Sequence, residues 1–233
     1  MRFFGWADSL VCIGILFPVV FTLVSFEEKG DAVSKYIAGE TANMDELLRN
    51  GEFVPGFIFT PLDTMQTQIF VFKGRKKKNA FLFFVSRFHG DSIRVLTAEN
   101  VCAYSVGNKY FVSHASDGDA FFIQLKKEGR ACLYERDGIP GDRRSLYYLL
   151  LPGQCNYFVF DTEQQNISSI EIQKGQKGER ATVFTSKNTG ERFALFVNQF
   201  LGDCPALRNM VQSGFLTMND LPQVIETYNR CFE

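Results

Sequence analysis

Residues 101–113 read VCAYSVGNKYFVS, residues 121–134 read FFIQLKKEGRACLY, and residues 145–160 read SLYYLLLPGQCNYFVF. Each stretch is a pair of short β-branched and aromatic runs joined by a turn: Gly107-Asn108, Glu128-Gly129 and Pro152-Gly153. Branched and aromatic side chains pack well on a pleated surface. Glycine supplies the backbone freedom that a tight connection between strands needs. Three hairpins in succession predict a sheet that is largely antiparallel.

The flanking sequence extends this reading in both directions. Residues 66–72 alternate, with Ile69 and Val71 on one face and Phe70 and Phe72 on the other. Residues 80–88 are apolar on both faces, which suits a central strand. Residues 53–60 form a strand signal interrupted by Pro55-Gly56, and Pro61-Leu62-Asp63 turns the chain. Most of the 25 phenylalanines lie in such runs.

From Asn188 the hydrophobic period changes from two to that of a helix. Phe193, Phe196, Val197 and Phe200 share one side, with Asn188 or Thr189 as cap. Gly202-Asp203 breaks this helix. A second is expected over residues 205–212, with Pro205 in its first turn. Asn219 or Asp220 caps a third containing Pro222, Val224, Ile225 and Tyr228. The expected fold is α+β, a predominantly antiparallel β-sheet or open barrel over residues 53–187 followed by a helical C-terminal tail over residues 188–233. Residues 27–52 read as a tether and a short helix, the latter over residues 43–50 with Asn43 as cap and Gly51 as stop.

The first 26 residues read as a signal peptide or a membrane anchor. Arg2 and the aromatics Phe3, Phe4 and Trp6 precede an apolar run over residues 10–26, closed by Glu27 and Glu28. That run is about 17 residues long, whereas a spanning helix usually needs about 20. The shortfall favours a cleaved signal. The best cleavage position ends at Ser25, where Leu23 fits poorly. Cys12 lacks the small preceding residue that lipid attachment requires. The rest of the chain is therefore expected outside the cytoplasm, in the periplasm or cell envelope. Lysine and arginine number 25 against 26 aspartates and glutamates, so net charge favours neither nucleic acid nor an anionic membrane surface.

One motif in the tail stands out. Phe200-Leu-Gly-Asp-Cys204-Pro-Ala-Leu207 is followed by Asp220-Leu-Pro and Tyr228-Asn-Arg-Cys231. Upstream, residues 96–101 read LTAENV and lead into Tyr104 and residues 110–113, YFVS; residues 121–125 lead into Gly129 and Leu133-Tyr134. This pattern resembles a group of uncharacterised exported β-rich proteins of Bacteroidetes-type Gram-negative bacteria. The resemblance runs over about residues 55–233, and residues 154–187 depart from it most. It implies export and a β-rich body, and it carries over no activity.

Without the first segment, five of the six cysteines remain: Cys102, Cys132, Cys155, Cys204 and Cys231. An odd number leaves at least one thiol free or paired between chains. Cys204 and Cys231 stand at the two ends of the helical tail and are the expected disulfide. Cys102 and Cys132 sit among apolar strand residues and read as small core side chains, while Cys155 follows a turn. There is no C-x-x-C for redox chemistry or a four-cysteine zinc site.

Only two histidines are available for acid–base or metal chemistry. His89 stands at a strand end two residues from Asp91, and His114 follows a strand and precedes Asp117-Gly-Asp119. His89, Asp91 and His114 form a weak candidate polar site, whose plain reading is turn and loop residues. A calcium loop would need a wider ligand pattern than Asp117 and Asp119 supply. No G-x-S-x-G elbow is present. The dense charge run Lys73-Gly-Arg75-Lys-Lys-Lys78 reads as a solvated hairpin tip that discourages edge pairing.

No catalytic, cofactor or metal residues are assigned. The sequence points to an exported, envelope-associated protein acting as a non-enzymatic binding or interaction module. Its expected partner is another envelope protein or a surface ligand, not nucleic acid, with membrane proximity only through the N-terminal segment. The alternatives are a hydrolase of unrecognised type and a carrier of an apolar ligand, the latter suggested by the phenylalanine-rich strands.

Overall fold

The computed structural model describes residues 30–88, 92–116, 119–138, 144–154, 156–171, 180–182 and 189–233. Two N-terminal helices, α1 (Gly30–Thr41) and α2 (Met44–Leu48), precede the strands. The first strands are β1 (Gly51–Phe59) and β2 (Thr64–Phe72), then a 3₁₀ helix (Gly74–Phe81), β3 (Phe83–Arg87) and β4 (Ile93–Thr97). Next come β5 (Ala103–Val106), β6 (Lys109–Ser116), β7 (Asp119–Lys127) and β8 (Cys132–Arg136). The last four are β9 (Leu146–Leu150), β10 (Asn156–Asp161), β11 (Asn166–Glu171) and β12 (Arg180–Thr182). The tail contains α3 (Thr189–Phe200), α4 (Pro205–Gln212) and α5 (Leu221–Arg230).

All described strands join one antiparallel sheet in the order β12-β11-β10-β9-β8-β7-β6-β5-β1-β2-β3-β4. The sheet is not closed, since β4 and β12 are its two edges. The three expected hairpins are present. In the first, Val106 pairs with Lys109 across Gly107-Asn108, and Gly107 takes φ 57°.

The sheet rolls twice, in opposite senses. Register places Tyr104, Phe111 and Phe122 on one face. Phe84 of β3 shares that face and stacks on Tyr104 of β5 with centroids 4.2 Å apart; it lies 5.8 Å from Phe122 of β7. Five inter-strand steps separate β3 from β7, about 24 Å in a flat sheet at about 4.8 Å per step. The N-terminal half therefore curls to enclose this face. His114, Phe121, Tyr148 and Tyr157 occupy the opposite face. His114 of β6 lies 5.3 Å from Tyr157 of β10, against about 19 Å for four flat steps. The C-terminal half thus curls the other way. Consecutive Phe121 and Phe122 are both buried because β7 serves both rolls.

Beyond that inflection, the face carrying Phe122 becomes the outer face of the second roll. There it presents Leu133, Leu149, Phe158, Phe160 and Ile167 to the tail. Phe193, Phe196 and Val197 of α3 pack on it, with Phe196 in edge contact with Phe158 and Phe160 at 5.0 Å each. Leu207 of α4 and Val224 and Ile225 of α5 complete this second core. Burying each such side chain contributes about 1.5–3 kcal/mol, so the tail is held mainly by apolar area.

The structure departs from the sequence reading at several points. Residues 30–41 form α1 rather than a tether. Tyr36 and Ile37 pack against the first core, and the Tyr36 hydroxyl donates to Asn79 Oδ1 at 3.0 Å. The basic run is not a hairpin tip but the start of the 3₁₀ helix, whose Phe81 is buried against Phe111. Strand β1 runs unbroken through Pro55, because β5 pairs only with residues 56–59 and at Pro55 β1 has a neighbour on one side only. Strand β3 is fully inward-packed yet lies one place from the sheet edge. Strands β4, β11 and β12 went unread in the sequence. Cys102 is exposed, one residue before β5, and not a core residue. The signal or anchor segment, residues 1–26, and Cys155 lie outside the described residues. No described helix is long and apolar enough to cross a membrane.

Candidate functional site

At the inflection of the sheet, the 3₁₀ helix sits over the face that carries Tyr104 and Phe111. Between them lies a cleft of about 340 Å³. Its apolar lining includes Phe70, Phe72, Phe81, Tyr104 and Phe111. Tyr104 and Phe111 are directly paired in β5 and β6, and their rings stack at 4.5 Å with a 4° interplanar angle. The Tyr104 hydroxyl donates to the Ala80 carbonyl at 2.7 Å, which pins the 3₁₀ helix to the floor. Burial pushes the Tyr104 phenol well above its ordinary value. It therefore stays a neutral donor.

The polar lining is Lys77, Lys109, Gln124, Glu135, Asp137 and Ser145. Both carboxylates are already engaged. Lys126 Nζ lies 2.9 Å from Glu135. Asp137 accepts from the Ser145 hydroxyl at 2.9 Å and from the Gly138 N–H at 2.8 Å, and Lys78 Nζ lies 3.3 Å away. Burial alone would raise the Asp137 carboxyl, but these hydrogen bonds and the Lys78 charge outweigh it and hold the group below the usual range. A carboxylate so stabilised is a weak base, so the Ser145–Asp137 contact does not activate the hydroxyl as a nucleophile. Among the described residues, Lys77 and Lys109 form no ion pair.

The weak polar site proposed from sequence is only partly described. His89 and Asp91 lie outside the described residues. His114 is buried inside the second roll, with Phe121, Tyr148 and Tyr157 ring centroids at 5.0–5.3 Å. Arg136 is buried beside it, its guanidinium over the Phe121 ring at 4.8 Å. Burial pushes the Tyr157 phenol up to about 12. This pocket of rings holds His114 on the face opposite the cleft. Among the described residues, no group of three histidine, cysteine or acidic side chains could hold a metal.

The tail motif is a clamp. Cys204 and Cys231 are bridged, with Cα atoms 5.9 Å apart. Asp203 accepts from Arg130 at 2.8 Å and from the Tyr228 hydroxyl at 3.3 Å, and the Arg130 guanidinium lies over the Phe232 ring at 3.8 Å. Asn229, buried, donates to the Ala131 and Glu128 carbonyls and accepts from the Ala131 N–H at 2.8 Å. Lys127 pairs with Glu226. Motif residues Asp203 and Asn229, together with Glu226 of α5, thus converge on one turn, residues 127–131, between β7 and β8. Gly129 in that turn takes φ 154°, and a Cβ there would lie 2.5 Å from Asn229 Nδ2.

The cleft residues Lys109, Gln124, Glu135, Asp137 and Ser145 were not singled out in the sequence. They come from four strands or strand ends and share no local spacing; only the run containing Lys77 carried a signal. Against known protein families, curated proteins and solved structures, the chain has no match.

Proposed function

We propose that the protein is an exported, envelope-associated and non-enzymatic binding module, and that a small molecule with apolar character occupies the cleft beneath the 3₁₀ helix. The observation that carries this reading is the cleft itself. It has an aromatic floor and the size of a small-molecule pocket, for which about 300 Å³ is the lower bound, and its carboxylates are already neutralised. Export is supported by the Cys204–Cys231 bridge together with the apolar N-terminal run, since disulfides persist in oxidising compartments.

The test is native mass spectrometry of the protein purified from its own host, beside a Val106→Trp variant that fills the cleft from its half-exposed side. Retained small-molecule mass in the wild type and its loss in the variant is the expected result. Equal retention by both would sink the cleft assignment. A second reading rests on the tail, where Phe215 is 69 % exposed and its N–H bonds the carbonyl of the exposed Met210. A protein partner docking there would be captured by cross-linking in envelopes and lost on Phe215→Ser.

A further inference from the structure

The charge around the cleft selects among apolar ligands. We infer that the cleft takes an amphiphile with an anionic head, whose apolar body lies over the Tyr104–Phe111 floor and whose head meets Lys77 and Lys109. This rests on the cleft reading above and adds the chemistry of the ligand to it.

Two lysines and two carboxylates line the cleft, and each carboxylate is paired with a further lysine outside that lining. Lys78 is committed to Asp137 and Lys126 to Glu135. Lys77 and Lys109 remain, both lining the cleft and both exposed at its rim. Lys77 comes from the 3₁₀ helix and Lys109 from the start of β6, so they approach from the roof and from the floor. Among the described residues, the paired carboxylates cancel their own lysines and leave the two ammonium groups of Lys77 and Lys109 uncompensated, beside a surface of low polarity that weakens screening. A cationic amphiphile would meet like charges there. A neutral one would leave both ammonium groups without a counter-charge.

The carboxylates cannot serve as a competing cation site. Asp137 already accepts from a hydroxyl and a backbone N–H and pairs with Lys78, and Glu135 has Lys126. The remaining polar lining, Gln124 and Ser145, is neutral. The floor is stiff, because Tyr104 is stacked on Phe84 and Phe111 and tied to Ala80. A stiff apolar floor with mobile cations at its rim accepts a short apolar body better than a long one, which would exceed the cavity's 340 Å³.

The experiment uses the full chain and three probes of equal chain length: decanoate, decanol and decyltrimethylammonium. Affinity is measured by isothermal titration for the wild type and for a Lys77→Gln/Lys109→Gln variant. Both positions are exposed, so the variant keeps its fold, which its melting curve verifies. Decanoate is expected to bind the wild type at least tenfold more tightly than either other probe. In the variant that preference disappears, and in the wild type it shrinks with added salt. Equal affinity for the three probes, or a carboxylate preference that survives in the variant, overturns the anionic assignment and leaves the cleft reading standing. Binding of none of the three overturns both.

Discussion

Replacing Asn229 with leucine tests whether the tail is held by the turn between β7 and β8. Asn229 accepts from the Ala131 N–H at 2.8 Å and donates to the Ala131 carbonyl at 3.0 Å; Ala131 is fully buried. Leucine matches the shape and removes both partners. Each orphaned buried group costs about 1–3 kcal/mol. With partial relaxation of the carbonyl, the total is about 2–4 kcal/mol by the same principle. In a domain of this size 1 kcal/mol moves Tm by about 2–4 °C, so Asn229→Leu should melt roughly 5–15 °C lower. Differential scanning calorimetry of oxidised protein measures this, with exposed Gln223→Ala of the same helix as control. The clamp also predicts coupling: Gly129→Ala should cost less in an Asn229→Ala background, since the Cβ then has no amide to meet. An Asn229→Leu protein that melts with the wild type, or additive effects of the Gly129 and Asn229 changes, would refute the clamp.

Two further outcomes follow from the fold. Replacing Cys204 and Cys231 together by serine opens a loop with a sequence separation of 27 and should lower stability by about 3–4 kcal/mol, read as a reduced urea midpoint with an altered denatured-state slope. Phe121→Ala and Phe122→Ala should each cost about 3–5 kcal/mol, because β7 buries both faces; a near-neutral result at either position would mean that only one roll exists.

The strands were legible where a turn signal bounded them. Gly107-Asn108, Glu128-Gly129 and Pro152-Gly153 are local features, and the chain turns at each because backbone sterics decide it within a few residues. The tail helices were legible for the same reason: Pro205 in a first turn and the spacing of Phe193, Phe196 and Val197 act over one or two turns. Strands β11 and β12 were missed because they lack an alternating apolar pattern, and β4 because its Ile93-Arg94-Val95 alternation is too short to stand out. Helix α1 was missed because what ties it down is distant in sequence: the Tyr36 hydroxyl bonds Asn79, 43 residues away, and Ile37 packs on a core built from the sheet.

What the sequence determined by itself is the class of the protein: an antiparallel sheet followed by a helical tail closed by Cys204 and Cys231, all written in short-range pattern and spacing. Only the tertiary structure decided how that sheet bends. Curvature depends on which side chains meet across three to five strands, and no local spacing records that Phe84 reaches Phe122 or His114 reaches Tyr157. The cleft inherits this property. Lys77, Lys109, Glu135 and Asp137 become neighbours because the sheet changes its sense of curl between them, so the site exists only once the whole sheet is formed.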